Sequence, residues 1–151
     1  MPDPHRLQRF VDAQDSGQTY DLAVAELRSG RKRGHWMWFV FPQIAGLGHS
    51  PMSRTFAISS LGEAQAYLAH PILGARLADA THVVSELSGH TAQDIFGGID
   101  AIKLRSSMTL FARADPGNPL FAGVLDTFFG GVPDDATDRL LSARGSDAHP
   151  G

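Results

Sequence analysis

The chain has 151 residues, the length of one domain, and no cysteine, which excludes a disulfide scaffold, thiolate zinc sites and a cysteine nucleophile. Apolar residues make up 42% and charged residues 19%, the composition of a folded chain and not of a disordered one. A net charge of -3 argues against sequence-independent nucleic-acid binding, which depends on clustered Lys and Arg neutralising phosphates.

Apolar spacing predicts a mainly α protein: a compact single-domain bundle of about six to seven helices over residues 3–141, with 142–151 as a disordered tail. Asp3-Pro4 is a helix-start signal, and Leu7, Phe10 and Val11 carry one face of a first helix running to about Asp15. Gly17 breaks it. Thr19 is the expected cap of a second helix, with Tyr20, Ala23, Val24 and Leu27 on one face and Gly30 at its end. The two should form an antiparallel hairpin.

The stretch Gly34 to Ser53 contains no Asp, Glu, Lys or Arg, and Pro42, Gln43, Gly46 and Gly48 interrupt it, so it reads as buried chain and not as a membrane span. Within it, His35-Trp-Met-Trp-Phe-Val-Phe41 has no polar face, and periodicity does not separate a buried helix from a strand. The helical surroundings favour a short buried helix.

Further on, Ser60-x-x-Glu63 is a capping box, followed by Leu61, Ala64 and Leu68. Pro71 suits the first turn of a helix whose Leu73, Leu77, Ala80, Val84 and Leu87 repeat at alternating spacings of four and three before Gly89. Thr91 caps a short turn through Phe96, closed by Gly97-Gly98. Ala101, Leu104, Met108 and Phe111 form the next stripe, which Asp115-Pro116 stops. Asn118-Pro119 restarts the pattern with Phe121, Val124, Leu125 and Phe128 up to Gly130-Gly131, and a last short helix spans about Asp135 to Leu141. The start of the chain, Met1-Pro-Asp-Pro-His5, lacks the basic and apolar segments of a secretory signal. The expected location is cytoplasmic, with no membrane partner.

Charge is segregated along this pattern. Residues 28–33 carry Arg28, Arg31, Lys32 and Arg33 and run directly into Trp36 and Trp38. Cations of this kind bind phosphate or carboxylate, indole faces stack bases or sugars, and His35 between them is placed to move a proton near neutral pH. Gln43 closes the same segment. The alternative is a solvated basic turn at a helix C-terminus beside aromatics that are simply core.

A second cluster is Lys103-Leu-Arg105-Ser106-Ser107. Lys103 and Arg105 stand about 200° apart on a helix, whereas Lys103 and Ser107 share a face. Two adjacent hydroxyls inside a helix point to an anion contact, to a Ser-Lys nucleophile, or to tight packing of small side chains. Asp94 and Asp100, flanking Phe96-Gly-Gly98, could supply a carboxylate to a site, but caps and turns explain both more cheaply. No His pairs with another His or a carboxylate in zinc-like spacing, so no metal and no cofactor are expected, and no dinucleotide or phosphate-loop fingerprint is present.

The strings Leu7-Gln-Arg-Phe10, Arg31-Lys-Arg-Gly-His35-Trp-Met-Trp-Phe, Phe56-Ala-Ile-Ser-Ser-Leu61 and Lys103-Leu-Arg-Ser-Ser-Met-Thr-Leu-Phe111 resemble a bacterial family of compact, mainly helical proteins. It is the domain of unknown function eighteen-ten, to which genomes often attach the label calpastatin. The likeness runs from Asp3 to about Leu141. Gly34 departs from it, standing where Ser or Thr is commoner. Calpastatin itself is a disordered protease inhibitor poor in aromatics, so that label does not fit a chain with nine Phe, two Trp and capped helices. A fainter likeness, with different spacings, is to NADAR domains, which act on ADP-ribose-linked substrates.

Two functions follow as expectations. In the first, a phosphate-bearing, nucleotide-like anionic small molecule binds between the 31–43 segment and the 103–107 helix start. Arg31, Lys32, Arg33, Lys103, Arg105, Ser106 and Ser107 contact the anion, Trp36, Trp38 and Gln43 contact the remainder of the ligand, and His35 transfers a proton if the site is catalytic. The chemistry would be metal-independent hydrolysis or transfer at an N-glycosidic or ADP-ribose-like centre. In the second, the basic 28–33 turn docks an acidic protein partner and there is no catalysis.

Overall fold

The computed structural model describes residues 3–148, and among them the chain is helical from end to end, without a regular sheet. Helix α1 spans Gln8–Asp15 and α2 spans Thr19–Arg28, joined by a single 3-10 turn in which Gly17 has φ 60. The start signal at Asp3 acts at a distance: its carboxylate accepts the Leu7 and Gln8 N–H groups at 2.8 and 2.9 Å, so the helix begins after Arg6 and not at Pro4. Thr19 is the first residue of α2 and not its cap, its hydroxyl donating back to the Ser16 carbonyl.

The aromatic stretch forms the short buried helix α3, Met37–Val40, as its helical surroundings favoured. Trp36, Met37, Phe39, Val40, Phe41 and Ile44 are buried, but from Gly46 the chain comes to the surface and makes α4, Pro51–Thr55. A single parallel bridge between Ile44 and Ile58 closes this excursion, through Ala45 N–H to Ile58 O and Ile58 N–H to Gln43 O, both 2.8 Å.

Helix α5, Leu61–Ala69, starts at the capping box, with Ser60 Oγ accepting the Glu63 N–H. The returning Glu63 carboxylate takes the Ser59 N–H and hydroxyl and the Arg9 guanidinium, tying α1 to α5. Helix α6, Leu73–Ser85, is preceded by His70, whose Nδ1 accepts the Ile72 and Leu73 N–H groups in place of an ordinary cap. Helix α8, Pro119–Phe129, is capped by Asn118 and ends at Gly130 in the left-handed region. Helix α9, Asp135–Ala148, continues past the expected boundary at 141, and residues 149–151 of the expected tail lie outside the described residues.

The centre of the bundle is α7, Ala92–Ala114, which packs against α5, α8 and α9. From Ser106 to Ala112 it is buried on all sides, including Met108, Leu110 and Phe111. Aromatic edges link the layers: Phe10 meets Tyr67 edge-on at 5.1 Å, Tyr67 meets Phe111 at 5.4 Å, and Phe111 meets Phe121 at 5.8 Å. Gly97 interrupts α7, with φ 80 and ψ 167, a conformation essentially confined to glycine. The short piece capped by Thr91 therefore joins the long piece at an angle, and a second N-terminal turn begins at Gly98. No helix of the described residues is long and apolar enough to cross a membrane.

Candidate functional site

The basic turn after α2 is anchored by its neighbours. Lys32 N–H donates to Ile95 O at 2.7 Å, which lays the extended stretch beside the first piece of α7. Alternation along an extended chain then sends Lys32 inward and leaves Arg31 and Arg33 exposed. Lys32 keeps only 8% of its side chain exposed. Its ammonium lies 2.7 Å from Asp100 Oδ2 and 5.0 Å from the centre of the Trp36 ring, and it also donates to Gly34 O.

Asp100 stands in the first turn after the Gly97 break, where a carboxylate is favoured by the helix dipole. One turn further, Lys103 Nζ is 3.5 Å from Asp100 Oδ1 and 4.7 Å from the Trp38 ring centre. Lys32, His35, Trp38, Asp100 and Lys103 therefore line one cleft of about 420 Å³, with Gly97 and Gly98 also in its wall. Among the residues that line the cleft, two ammonium groups share one carboxylate.

Other expected site residues are placed elsewhere, and each correction has a physical cause. Trp36 is 1% exposed and its indole N–H donates to Glu26, so it is core and no stacking surface. Arg105 points away from Lys103, as the helical angle requires. Its Nε donates to Val132 O at 2.8 Å and its Nη2 to Pro133 O at 3.1 Å, fastening the turn between α8 and α9. Ser106 is buried, donating to Ile102 O and paired with Asp134. Ser107 is fully buried and its hydroxyl has no partner among the described residues. Lys103 turns to Asp100 and Trp38, so no Ser-Lys pair forms. Arg31 and Arg33 do not line the cleft. Gln43 lies in a separate cavity that also includes Trp38.

Two acidic residues complete the arrangement. Asp100, explained in the sequence as a turn residue, is the ion-pair centre; its signal was the Lys three positions on. Glu26 had no local signal, because its role spans α2 and the following turn. Its Oε1 accepts the Arg33 N–H at 2.7 Å, the Gly34 N–H at 2.9 Å and the Trp36 indole N–H at 2.9 Å. Burial pushes the Glu26 carboxyl upward, but these donors and the nearby Lys32 outweigh it and hold the group below its ordinary 4.5. Space here is tight. A Cβ on Gly34 would lie 2.9 Å from Trp36 Cδ1, so a serine or threonine at this position requires the indole to shift.

Among the described residues no group of three or more His, Asp or Glu is disposed to hold a metal ion. Fold and cleft together define a small helical protein with a basic, aromatic-walled recess. The chain belongs to the family described as Protein of unknown function (DUF1810), whose model matches residues 4–141. It is similar to the conserved hypothetical protein Rv1873 from Mycobacterium tuberculosis, known from a crystal structure: 53% identity, covering 93% of this chain and 99% of that one, at a TM-score of 0.90. No protein of curated function matches it.

Proposed function

We propose that the chain binds a phosphate-bearing, nucleotide-like anionic small molecule in the cleft between residues 32–38 and the Gly97–Lys103 stretch of α7. The observation that carries this reading is the meeting of Lys32 and Lys103 at Asp100 beside Trp38 and His35. A partly desolvated site with two cations to one carboxylate attracts an anion more strongly than exposed lysines do. The second N-terminal turn of α7 adds backbone N–H groups, which favour phosphate at such a position.

The chemistry suited to these groups is metal-independent hydrolysis at an ADP-ribose-like or N-glycosidic centre. His35 would give a proton to the departing nitrogen, and the attacking water would release one to solvent. The test is thermal shift and calorimetric titration with pyrophosphate, ADP and ADP-ribose in low salt. Binding that weakens with salt and is lost in Lys103→Met supports the reading; no stabilisation by any of the three overturns it.

A second reading rests on the exposed Arg28, Arg31 and Arg33, which stay outside the cleft. In it the basic turn docks an acidic protein. Charge reversal at Arg31 and Arg33 would then abolish capture of that partner and leave pyrophosphate binding unchanged.

A further inference from the structure

Trp38 lines two cavities and is the one residue they share. Beyond the basic cleft lies a smaller, more closed compartment of about 150 Å³, whose wall includes Gln43, Gly46, Gly48, Arg54 and Phe56. The Ile44–Ile58 bridge builds it by folding the 45–57 excursion back against α3.

Three observations bear on what it holds. The first is an unpaired donor. The Trp38 indole N–H is buried, closed off from both cavities as the ring now lies, and has no hydrogen-bond partner among the described residues; a buried polar group in that state is a costly exception, which a turn of the ring toward an acceptor in the compartment would relieve. The second is size. A space of about 150 Å³ accommodates one aromatic ring, as apolar cavities of that volume do. The third is the lining, in which Phe56 and Ile44 stand together with Gln43, Ser53 and Arg54, residues whose side chains carry donors. Apolar walls with a few placed donors select a flat ring that carries acceptors.

We infer that this compartment is a ring subsite for a planar heterocycle of the nucleobase class, bearing carbonyl or ring-nitrogen acceptors. The ligand is then bipartite: its ring sits against Trp38, Gln43 and Phe56, and its phosphate lies in the cleft with Lys32 and Lys103. This step rests on the anion-binding reading of the cleft and adds to it where the ring of a nucleotide-like ligand is held. It also gives Gln43, which lies outside the cleft, a role in choosing the ligand.

Calorimetric titration of the full chain with ADP, UDP and inorganic pyrophosphate tests the subsite, using Gln43→Leu, Ala57→Leu and Lys103→Met. Gln43→Leu keeps the side-chain bulk and leaves the backbone carbonyl that receives Ile58 N–H. Ala57→Leu fills the compartment by a different route and guards against a folding defect in the first variant. The expected result is that UDP, whose base is a single ring, binds at least about tenfold more tightly than pyrophosphate, a difference of one good polar contact. Both compartment variants should bring the nucleotide down to the pyrophosphate level without changing pyrophosphate itself. Equal affinities for nucleotide and pyrophosphate, all weakened by Lys103→Met, would overturn the ring subsite and leave the anion site standing. Nucleotide binding that is lost in Gln43→Leu but indifferent to Lys103→Met would support the compartment and overturn the anion site.

Discussion

The carboxylate of Asp100 stands 2.7 Å from Lys32 Nζ, so on the proposed reading an incoming phosphate would have to compete with it for that cation. Its second oxygen reaches Lys103, so the residue offsets part of the charge of the two lysines and would compete with a bound anion for them. Asp100→Asn should therefore act in opposite directions on binding and stability. Pyrophosphate affinity should rise by about tenfold as the competing charge is removed. Folding stability should fall by about 1–3 kcal/mol, because the largely buried Lys32 loses its charged partner. Calorimetry and denaturant unfolding measure the two effects, and an unchanged affinity would remove the cleft as the anion site.

Glu26 makes stability depend on pH in a definite sense. Its folded-state carboxyl titrates below the ordinary 4.5, so the unfolded chain takes up the proton first as pH falls. The contribution is present above that value and is lost as pH drops through the lowered one. Wild type and Glu26→Ala should differ by about 1–3 kcal/mol near neutral pH, since three donors lose a charged acceptor. Unfolding measured in steps below pH 4.5 should show the gap narrowing; a gap of constant size would contradict the cap.

Gly97 and Gly98 are neighbours with opposite predicted responses. A Cβ at either meets open space, so only backbone conformation separates them. At Gly97, with φ 80, alanine should cost about 1–3 kcal/mol and disturb the bend that forms one wall of the cleft. At Gly98 the backbone suits any residue, and alanine should be neutral or stabilise by about 0.4–1 kcal/mol. Thermal melts of the two variants, run side by side with pyrophosphate titration, check both halves.

Arg105 is predicted to be structural. Arg105→Met should lose about 1–3 kcal/mol through the two carbonyls of Val132 and Pro133 left without a charged donor. Pyrophosphate affinity should stay unchanged, and a marked fall would return Arg105 to the site.

Local signals in the sequence carried most of the helices. Ser60, Thr91 and Asn118 each cap the helix that their spacing announces, and Gly130 ends one. The stripe of α6 emerges as its buried face. Helix starts governed by distant groups were less legible: Asp3 acts four and five residues ahead, and His70 caps α6 through a ring nitrogen. In the site, the basic turn and Lys103 were visible as composition, but composition does not say which cation turns inward. Lys32 does so because its backbone is held by Ile95, a contact between segments more than sixty positions apart. Trp36 and Trp38 look alike in sequence. One finds Glu26 and becomes core, whereas the indole N–H of the other has no partner among the described residues and its ring lines two cavities.

That contrast supplies the most direct test. The chain has two tryptophans, hence two indole N–H signals in a nitrogen-15 correlation spectrum, which Trp36→Phe assigns. Titration with ADP in low salt should shift the Trp38 signal to saturation and leave that of Trp36 nearly in place, with the Trp38 response weakened by added salt and by Lys103→Met. Two unmoved signals at saturating nucleotide, or a Trp38 shift indifferent to both salt and Lys103, would contradict an anion-binding cleft beside Trp38.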